Sequence, residues 1–376
     1  MPRYFFYYSG FSEGIPRADA HAVLRRHHYS IKTVVDAGRL EVIDVNPPLD
    51  FRCLEQCAFK NYAGELLGMT YGEINDTLAC EVLVNEVDWE TLAQEKGERS
   101  WCVRVKGDRK YFRRRDLKTF ELNFAPFLYQ KWKGPVKLKM PEVQFQIVLG
   151  KTPSGDGVMA LGILQFKQPL EVKRRISRTL AGRRPIFHIG TMNNPIARFA
   201  SNVAETPSGG ILLDAFCGSG GILIEAALDG CYTIGIDVDY YFIRGVRLNM
   251  RYYAPDQHLG EIRASALALP IRSDLQTLGN SIRGVSSDLP YGRSTSRRGI
   301  SVAAIWDGFL QELAVLIPPG TKCCLILPDT SEVREHLPIF AKNANFRTIE
   351  TLKQYMHDSL TRVFLLIERA ENQKID

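Results

Sequence analysis

Ile211-Leu212-Leu213-Asp214-Ala215-Phe216-Cys217-Gly218-Ser219-Gly220-Gly221-Ile222-Leu223-Ile224-Glu225-Ala226-Ala227-Leu228 reads as a short apolar strand, an acidic residue at its end, a glycine-rich turn and a helix apolar at most positions. Such a helix suits a crossover buried against a sheet. Glycines let the backbone bend sharply and approach a ligand closely, which sets a site at the carboxyl end of the strand. Residues 231–236 supply the next strand, and Asp237 at its end stands where a carboxylate accepts hydrogen bonds from ribose hydroxyls. The pattern is a βαβ half that binds a nucleoside. A dinucleotide fits poorly, because the turn lacks the full G-x-G-x-x-G spacing and Asp214 would repel a pyrophosphate. A ligand carrying an ammonium and a sulfonium is welcome beside that carboxylate, and S-adenosylmethionine meets the description.

Beyond this half the elements alternate regularly: helix over 240–253, strands over 261–264 and 283–287, helix over 303–317, strand over 322–327, helix over 331–343, and strands near 346–354 and 362–368. Alternation of this kind predicts an α/β domain with a doubly wound, mostly parallel sheet. Asp214, Asp237 and Asp288 then all end strands and converge on one sheet edge. Asp288-Leu289-Pro290-Tyr291 sets an acid, a proline and an aromatic behind a strand, a combination suited to holding a flat, amine-bearing ring. Arg293, Arg297 and Arg298 follow as candidates for holding a flanking phosphate backbone.

The amino-terminal half has a different character. Strand propensity over 3–9, helical spacing over 16–28, strands over 34–35 and 40–45, helical spacing over 53–69 and a buried strand over 78–84 predict a small α+β, ferredoxin-like module. From Arg99 a basic run begins, Arg99, Arg104, Lys106, Arg109, Lys110, Arg113, Arg114, Arg115 and Lys118, with Trp101, Tyr111 and Phe112 among the charges. Further basic clusters fall within 131–139 and 167–184. Repeated clusters with aromatics between them suit phosphates and stacked bases. A proline-started alternating strand over 138–149 and an apolar run over 158–164 flank a Pro-Ser-Gly-Asp-Gly turn and predict a hairpin. Residues 167–204 read as a basic linker feeding an amphipathic helix over 196–203, with His188 structural.

At 376 residues the chain is too long for one core of ordinary size, so two or three domains are expected. Its 45% hydrophobic and 24% charged content is that of a soluble globular protein, and a net charge of +6 matters through its distribution. The eight cysteines show neither C-x-x-C pairs nor histidines at zinc-ligand spacing, which favours reduced, buried thiols and no metal site. With no membrane-length apolar run and no signal peptide, the chain is expected to remain inside the cell.

A helix over 120–132, Gly134 and the Pro141-x-Val143-x-Phe145-x-Ile147-x-Leu149 strand resemble the THUMP domain of RNA-modifying enzymes. Residues 205–376 resemble a Rossmann-fold methyltransferase, and D-L-P-Y resembles the D-P-P-Y motif of amino-group methyltransferases acting on nucleobases. Together with the F-C-G-S-G-G turn, these motifs make the whole chain similar to the archaeal tRNA guanosine-10 N2-methyltransferases. The resemblance implies an N-terminal ferredoxin-like domain (1–78), a THUMP RNA-binding domain (79–166), a linker (167–204) and a methyltransferase domain (205–376). It implies S-adenosylmethionine as cofactor and tRNA, bound by its acceptor end, as partner, with N2-methyl- and N2-dimethylguanosine as products. It further implies cytoplasmic placement and the option of a small zinc-binding activator. The expected catalytic residues are Asp288, Leu289, Pro290 and Tyr291. The expected cofactor residues are Asp214, Phe216, Cys217, Gly218, Gly220, Asp237, Val238, Ser265, Ala266 and Thr191. Two positions depart from the family pattern: Leu289 replaces the first proline, and Ser265 stands where an aspartate commonly contacts the adenine amino group. The residues by themselves leave other readings open, namely ribosomal RNA guanine N2, adenine N6, or an RNA-binding protein with a vestigial transferase half.

Overall fold

Seven strands between Arg3 and Lys167 join in one sheet, seen in a computed structural model that describes all residues except 73–76, 98, 170–178, 180, 189–190, 272–281, 291–300, 358–359 and 372–376. They are β1 (Arg3–Tyr7), β2 (Ser30–Ala37), β3 (Leu40–Asn46), β4 (Tyr62–Tyr71), β5 (Trp101–Gly107), β6 (Val143–Lys151) and β7 (Gly157–Lys167), ordered β2-β3-β1-β4-β7-β6-β5. Only the β5–β6 pair is parallel. Helices α2 (Thr77–Asn85), α3 (Trp89–Lys96) and α4 (Arg114–Lys131) share a core with β5 to β7, where Phe145 is met edge-on by Trp89, Trp101 and Trp132. The expected hairpin is present as β6 and β7.

Two expectations in this half are overturned. Residues 53–69 do not form a helix; a 3-10 turn at Phe51–Gln56 leads into β4. Pairing with β7 overrides the helical spacing, and glycines mark where the backbones close in. A Cβ on Gly64 would stand 2.0 Å from the Ile163 carbonyl oxygen, and one on Gly162 would stand 2.2 Å from that of Glu65. Residues 78–84 form helix α2 rather than a strand: Ala79, Cys80, Leu83 and Val84 are buried while Leu78 and Val82 are exposed, a period near 3.6 that a seven-residue apolar run can hide. The division expected after residue 78 is not a break in the sheet, since β4 pairs with β1 on one side and β7 on the other.

The chain separates into two units, Met1–Gly10 with His28–Glu55 and Lys60–Pro169, and Phe11–His27 with Gln56–Phe59 and Leu170–Asp376. Helix α1 (Ile15–Arg26) therefore belongs to the second unit, although it was expected to complete the amino-terminal module. Its buried Asp19 explains the assignment. That carboxylate accepts the Ala58 and Phe59 N–H groups at 2.7 and 3.3 Å and the Asn202 amide at 2.8 Å. Burial raises its pKa to about 6 against these hydrogen bonds.

The second unit is the doubly wound α/β domain that alternation predicts. Strands β8 (Ile211–Asp214), β9 (Tyr232–Asp237), β10 (His258–Arg263), β11 (Ile282–Asp288), β12 (Lys322–Pro328), β13 (Phe346–His357) and β14 (Leu360–Arg369) run in the order β10-β9-β8-β11-β12-β14-β13. The first five are parallel, and β14 is antiparallel to both neighbours. Side chains alternate between two cores. Leu212, Cys324 and Ile326 face α5 (Asn194–Val203), α6 (Gly221–Leu228) and α7 (Tyr240–Tyr253), while Leu213, Cys323 and Leu325 face α8 (Val302–Leu316) and α9 (Ser331–Asn343). All eight cysteines of the chain are buried thiols.

Arg198 of α5 ties the first of these layers together. It donates to Glu225 at 3.2 Å, to Asp229 and to the Gln56 carbonyl at 2.8 Å, and Asp229 also takes Arg26 of α1 at 3.3 Å. The ion pairs are buried, so losing one partner strands charge in the core. Arg198→Ala is expected to cost about 3–5 kcal/mol. Thermal unfolding followed by circular dichroism should show the second unit melting several degrees lower, and an unchanged midpoint would remove the network from the fold's supports.

Candidate active site

The order of the parallel strands reverses between β8 and β11, and a crevice opens at the carboxyl ends of such a pair. Asp214 ends one strand and Asp288 the other. The turn after Asp214 is fixed by backbone donors. Phe216 N–H reaches Asp214 Oδ1 at 3.1 Å, Ala215 N–H reaches Ser287 Oγ at 3.0 Å across the strand pair, and Cys217 N–H reaches the Ile236 carbonyl at 3.0 Å. Gly218 and Gly220 have φ of +50° and +85°, conformations that side chains resist, so the turn requires glycine at both. Asp237 braces the turn by accepting Gly218 N–H at 3.0 Å on Oδ2 and Asp239 N–H at 2.9 Å on Oδ1.

Asp214 and Asp288 line a single cavity with Thr191, Phe216, Cys217 and Gly218. Burial pushes the Asp214 carboxyl up to about 8; the Phe216 N–H and Ser287 hydroxyl oppose this, and the charges of Asp288 and Asp237 add to it. Burial also raises Asp237. Three carboxyls thus crowd one low-dielectric edge, an arrangement that favours a cationic guest. S-adenosylmethionine fits it, since its sulfonium and ammonium supply the missing positive charge and its ribose suits a strand-end carboxylate. Cys217 offers no nucleophile, because burial together with Asp214 and Asp237 holds its thiol well above the usual range.

Several expected residues sit elsewhere. Gly220 caps α6, and Val238 is partly exposed beyond Asp237. Ser265 is exposed and its hydroxyl accepts the Leu267 N–H at 3.2 Å, while Ala266 is buried in the core beside α8; neither is among the described residues lining the cavity. Leu289 donates its N–H to the Ile326 carbonyl at 2.9 Å and buries its side chain in the core shared with Trp306 and Phe309. Tyr291, Arg293, Arg297 and Arg298 lie outside the described residues. His188, read as structural, instead lines the cavity and meets Phe242 edge-on at 5.5 Å. Phe242 carries no local signal in the sequence. Arg184, read in the sequence only as part of a basic cluster, is 5% exposed; among the described residues its two terminal nitrogens have no hydrogen-bond partner, and Nη1 lies 3.1 Å from where a Cβ on Gly221 would stand.

Fold and site together define a Rossmann-fold, S-adenosylmethionine-dependent methyltransferase. Residues 181–358 match the family model described as the RMKL-like methyltransferase domain. The tRNA (guanine(10)-N2)-dimethyltransferase of Methanothermobacter thermautotrophicus is 26% identical over 359 residues, 95% of this chain and 96% of its own. The "Probable tRNA (guanine(10)-N2)-dimethyltransferase" of Methanothermococcus thermolithotrophicus is 30% identical over 172 residues, 46% of this chain and 96% of its own. The crystal structure of TrmN from Thermus thermophilus aligns over 97% of this chain and 99% of its own, at 18% identity and a TM-score of 0.48. The chain belongs to the tRNA (guanine(10)-N2)-methyltransferase family.

Asp214 makes the site expensive to keep folded. Its carboxyl holds a proton in the native state at pH values where the unfolded chain has lost it, so its effect on stability turns steadily less favourable from about pH 4 to about pH 8. Asp214→Asn is therefore expected to melt progressively higher than the unsubstituted protein between pH 5 and pH 8. The same variant should bind S-adenosylmethionine at least about tenfold more weakly by calorimetry. Parallel melting curves for the two proteins across that range would contradict the assignment.

Proposed function

We propose that the protein methylates the exocyclic N2 of guanosine at position 10 of tRNA, giving N2-methyl- and then N2-dimethylguanosine. The observation that carries the proposal is the adjacency of Asp214 and Asp288, which end neighbouring strands at the reversal and line one cavity. One carboxyl faces the donor and the other the acceptor. S-adenosylmethionine supplies an electrophilic methyl group when bound, with Asp214, Asp237 and the Gly218 turn as its seat.

The guanine amine is a weak nucleophile because its lone pair is delocalised into the ring. Asp288 and the Leu289 carbonyl accept its two N–H groups, which localises the lone pair and orients it for an in-line displacement. Leu289 is well suited to this task, because its N–H and side chain are both anchored and its carbonyl is thereby positioned. Tyr291 follows as the stacking partner for the base. The amine becomes acidic only as the carbon–nitrogen bond forms, so Asp288 takes the proton late and need not be a strong base. Exposing a base from folded RNA costs a few kcal/mol, offset by stacking and phosphate contacts from the basic amino-terminal unit, which acts as the THUMP-type tRNA-binding part.

No helix among the described residues is long and apolar enough to cross a membrane. A tRNA substrate supports the reading that the enzyme works in the cytoplasm. A small zinc-binding activator completes the proposal. Strand β10 ends its sheet with Leu259 half-exposed, and such an edge can accept a partner strand.

Incubation with labelled S-adenosylmethionine and unmodified tRNA, followed by nucleoside analysis, should place label in N2-methylguanosine and N2-dimethylguanosine. Label recovered only as methyladenosine would overturn the proposal. Asp288→Asn should retain tRNA affinity while turnover falls by on the order of 10² or more.

A further inference from the structure

The first unit gathers positive charge that the sequence scatters. Tyr62 opens β4, and Lys167, at the end of β7, is its cross-strand partner. The Lys60 ammonium lies 5.3 Å from the centre of the Tyr62 ring, and that of Lys106, from β5, lies 4.9 Å away. Tyr7, whose ring centre is 6.2 Å from that of Tyr62, carries the Arg39 guanidinium 4.4 Å above its face and donates its hydroxyl to the Gly107 carbonyl at 2.8 Å. Arg109 and Asp108 also act on Tyr7, and Asp108 brings an acid to the group. Among the described residues, none of Lys60, Lys106 and Lys167 forms an ion pair with a carboxylate.

Like charges drawn around one buried ring oppose each other. The ring face offsets only part of that cost. Burial acts to raise the Tyr62 pKa, yet its hydrogen bond with Lys60 and the charges of Lys106, Lys60 and Lys167 hold the phenol below its usual range, so positive potential dominates the spot. Lys60 and Lys167 are exposed, which leaves the cluster open to a guest from solvent. A guest with several acceptor oxygens and at least one full negative charge suits the three ammoniums together, and a phosphate meets that description.

We propose that Lys60, Lys106 and Lys167, gathered around Tyr62, form a phosphate site that holds the backbone of the substrate RNA. The inference rests on tRNA being the substrate and adds which surface of the first unit grips it. Lys60 lies outside every basic run of the sequence, and Lys106 and Lys167 belong to different runs. Only the fold unites them.

The test is the affinity of unmodified tRNA, measured by fluorescence anisotropy from 50 to 300 mM KCl, for the unsubstituted protein and for the triple variant Lys60→Gln, Lys106→Gln, Lys167→Gln. The triple variant is expected to bind at least roughly tenfold more weakly at the lowest salt, with a log K against log[salt] slope shallower by about 0.7–0.9 per lost phosphate contact. Its S-adenosylmethionine affinity should be unchanged, since none of the three residues lies in the cofactor cavity. If the triple variant misfolds, Lys60→Gln and Lys167→Gln, both on exposed side chains, should each remove about one contact from the slope. Tyr62→Phe should keep the slope, because the cations remain. Equal slopes for variant and unsubstituted protein would overturn this site alone. Failure of the unsubstituted protein to bind tRNA would overturn the proposed function with it. Binding of inorganic phosphate that the triple variant loses, with an unaltered tRNA slope, would reassign the site to a free anion and overturn the RNA assignment.

Discussion

Everything at the catalytic edge depends on the reversal of strand order between β8 and β11. Crossover helices leave in opposite directions from these two strands, which opens a crevice at their carboxyl ends. The Ala215 N–H to Ser287 hydroxyl bond sits at this junction and ties the glycine turn to the neighbouring strand. Through it, the residue after Asp214 is held to the residue before Asp288. The spacing between donor and acceptor sites is therefore set by a sheet ladder rather than by mobile side chains.

Position 289 shows how a departure from the family motif can be accommodated by the same ladder. A proline has no N–H and could not make the bond to the Ile326 carbonyl. Leucine makes that bond, extending the β11–β12 ladder by one residue, and its side chain joins the core beside α8. Rigidity that a proline would draw from its ring comes here from a hydrogen bond and burial. Ser265 has no such compensation, because its hydroxyl is engaged with its own turn.

What was legible in the sequence was local or periodic. The Asp214 turn announces itself through adjacent glycines, and the alternation after it specifies two helix layers, so the convergence of Asp214 and Asp288 could be anticipated. Illegible features depend on partners far along the chain. Residues 53–69 have helical spacing but pair with β7, and α1 has an ordinary amphipathic pattern yet owes its placement to Asn202 and to the backbone at residues 58 and 59. His188 and Phe242 stand 54 positions apart and reveal their shared place only once α7 is folded beside the turn. The Tyr62 cluster is the same kind of case, since charge counted along a sequence cannot show which lysines share a ring.

Helix α1 carries a consequence for biosynthesis and for the origin of the protein. It is made early, between two strands of the first unit, but its binding partners around Asn202 and Arg198 emerge from the ribosome far later. Until then its buried face, Ile15, Ala18, Asp19 and Ala22, must remain uncovered or be shielded by a chaperone. No single cut releases the catalytic unit intact, because its first helix is stitched into the coding region of the other unit. The weave constrains any exchange of one half for another between relatives, because residues 11–27 and 56–59 must travel with the second unit.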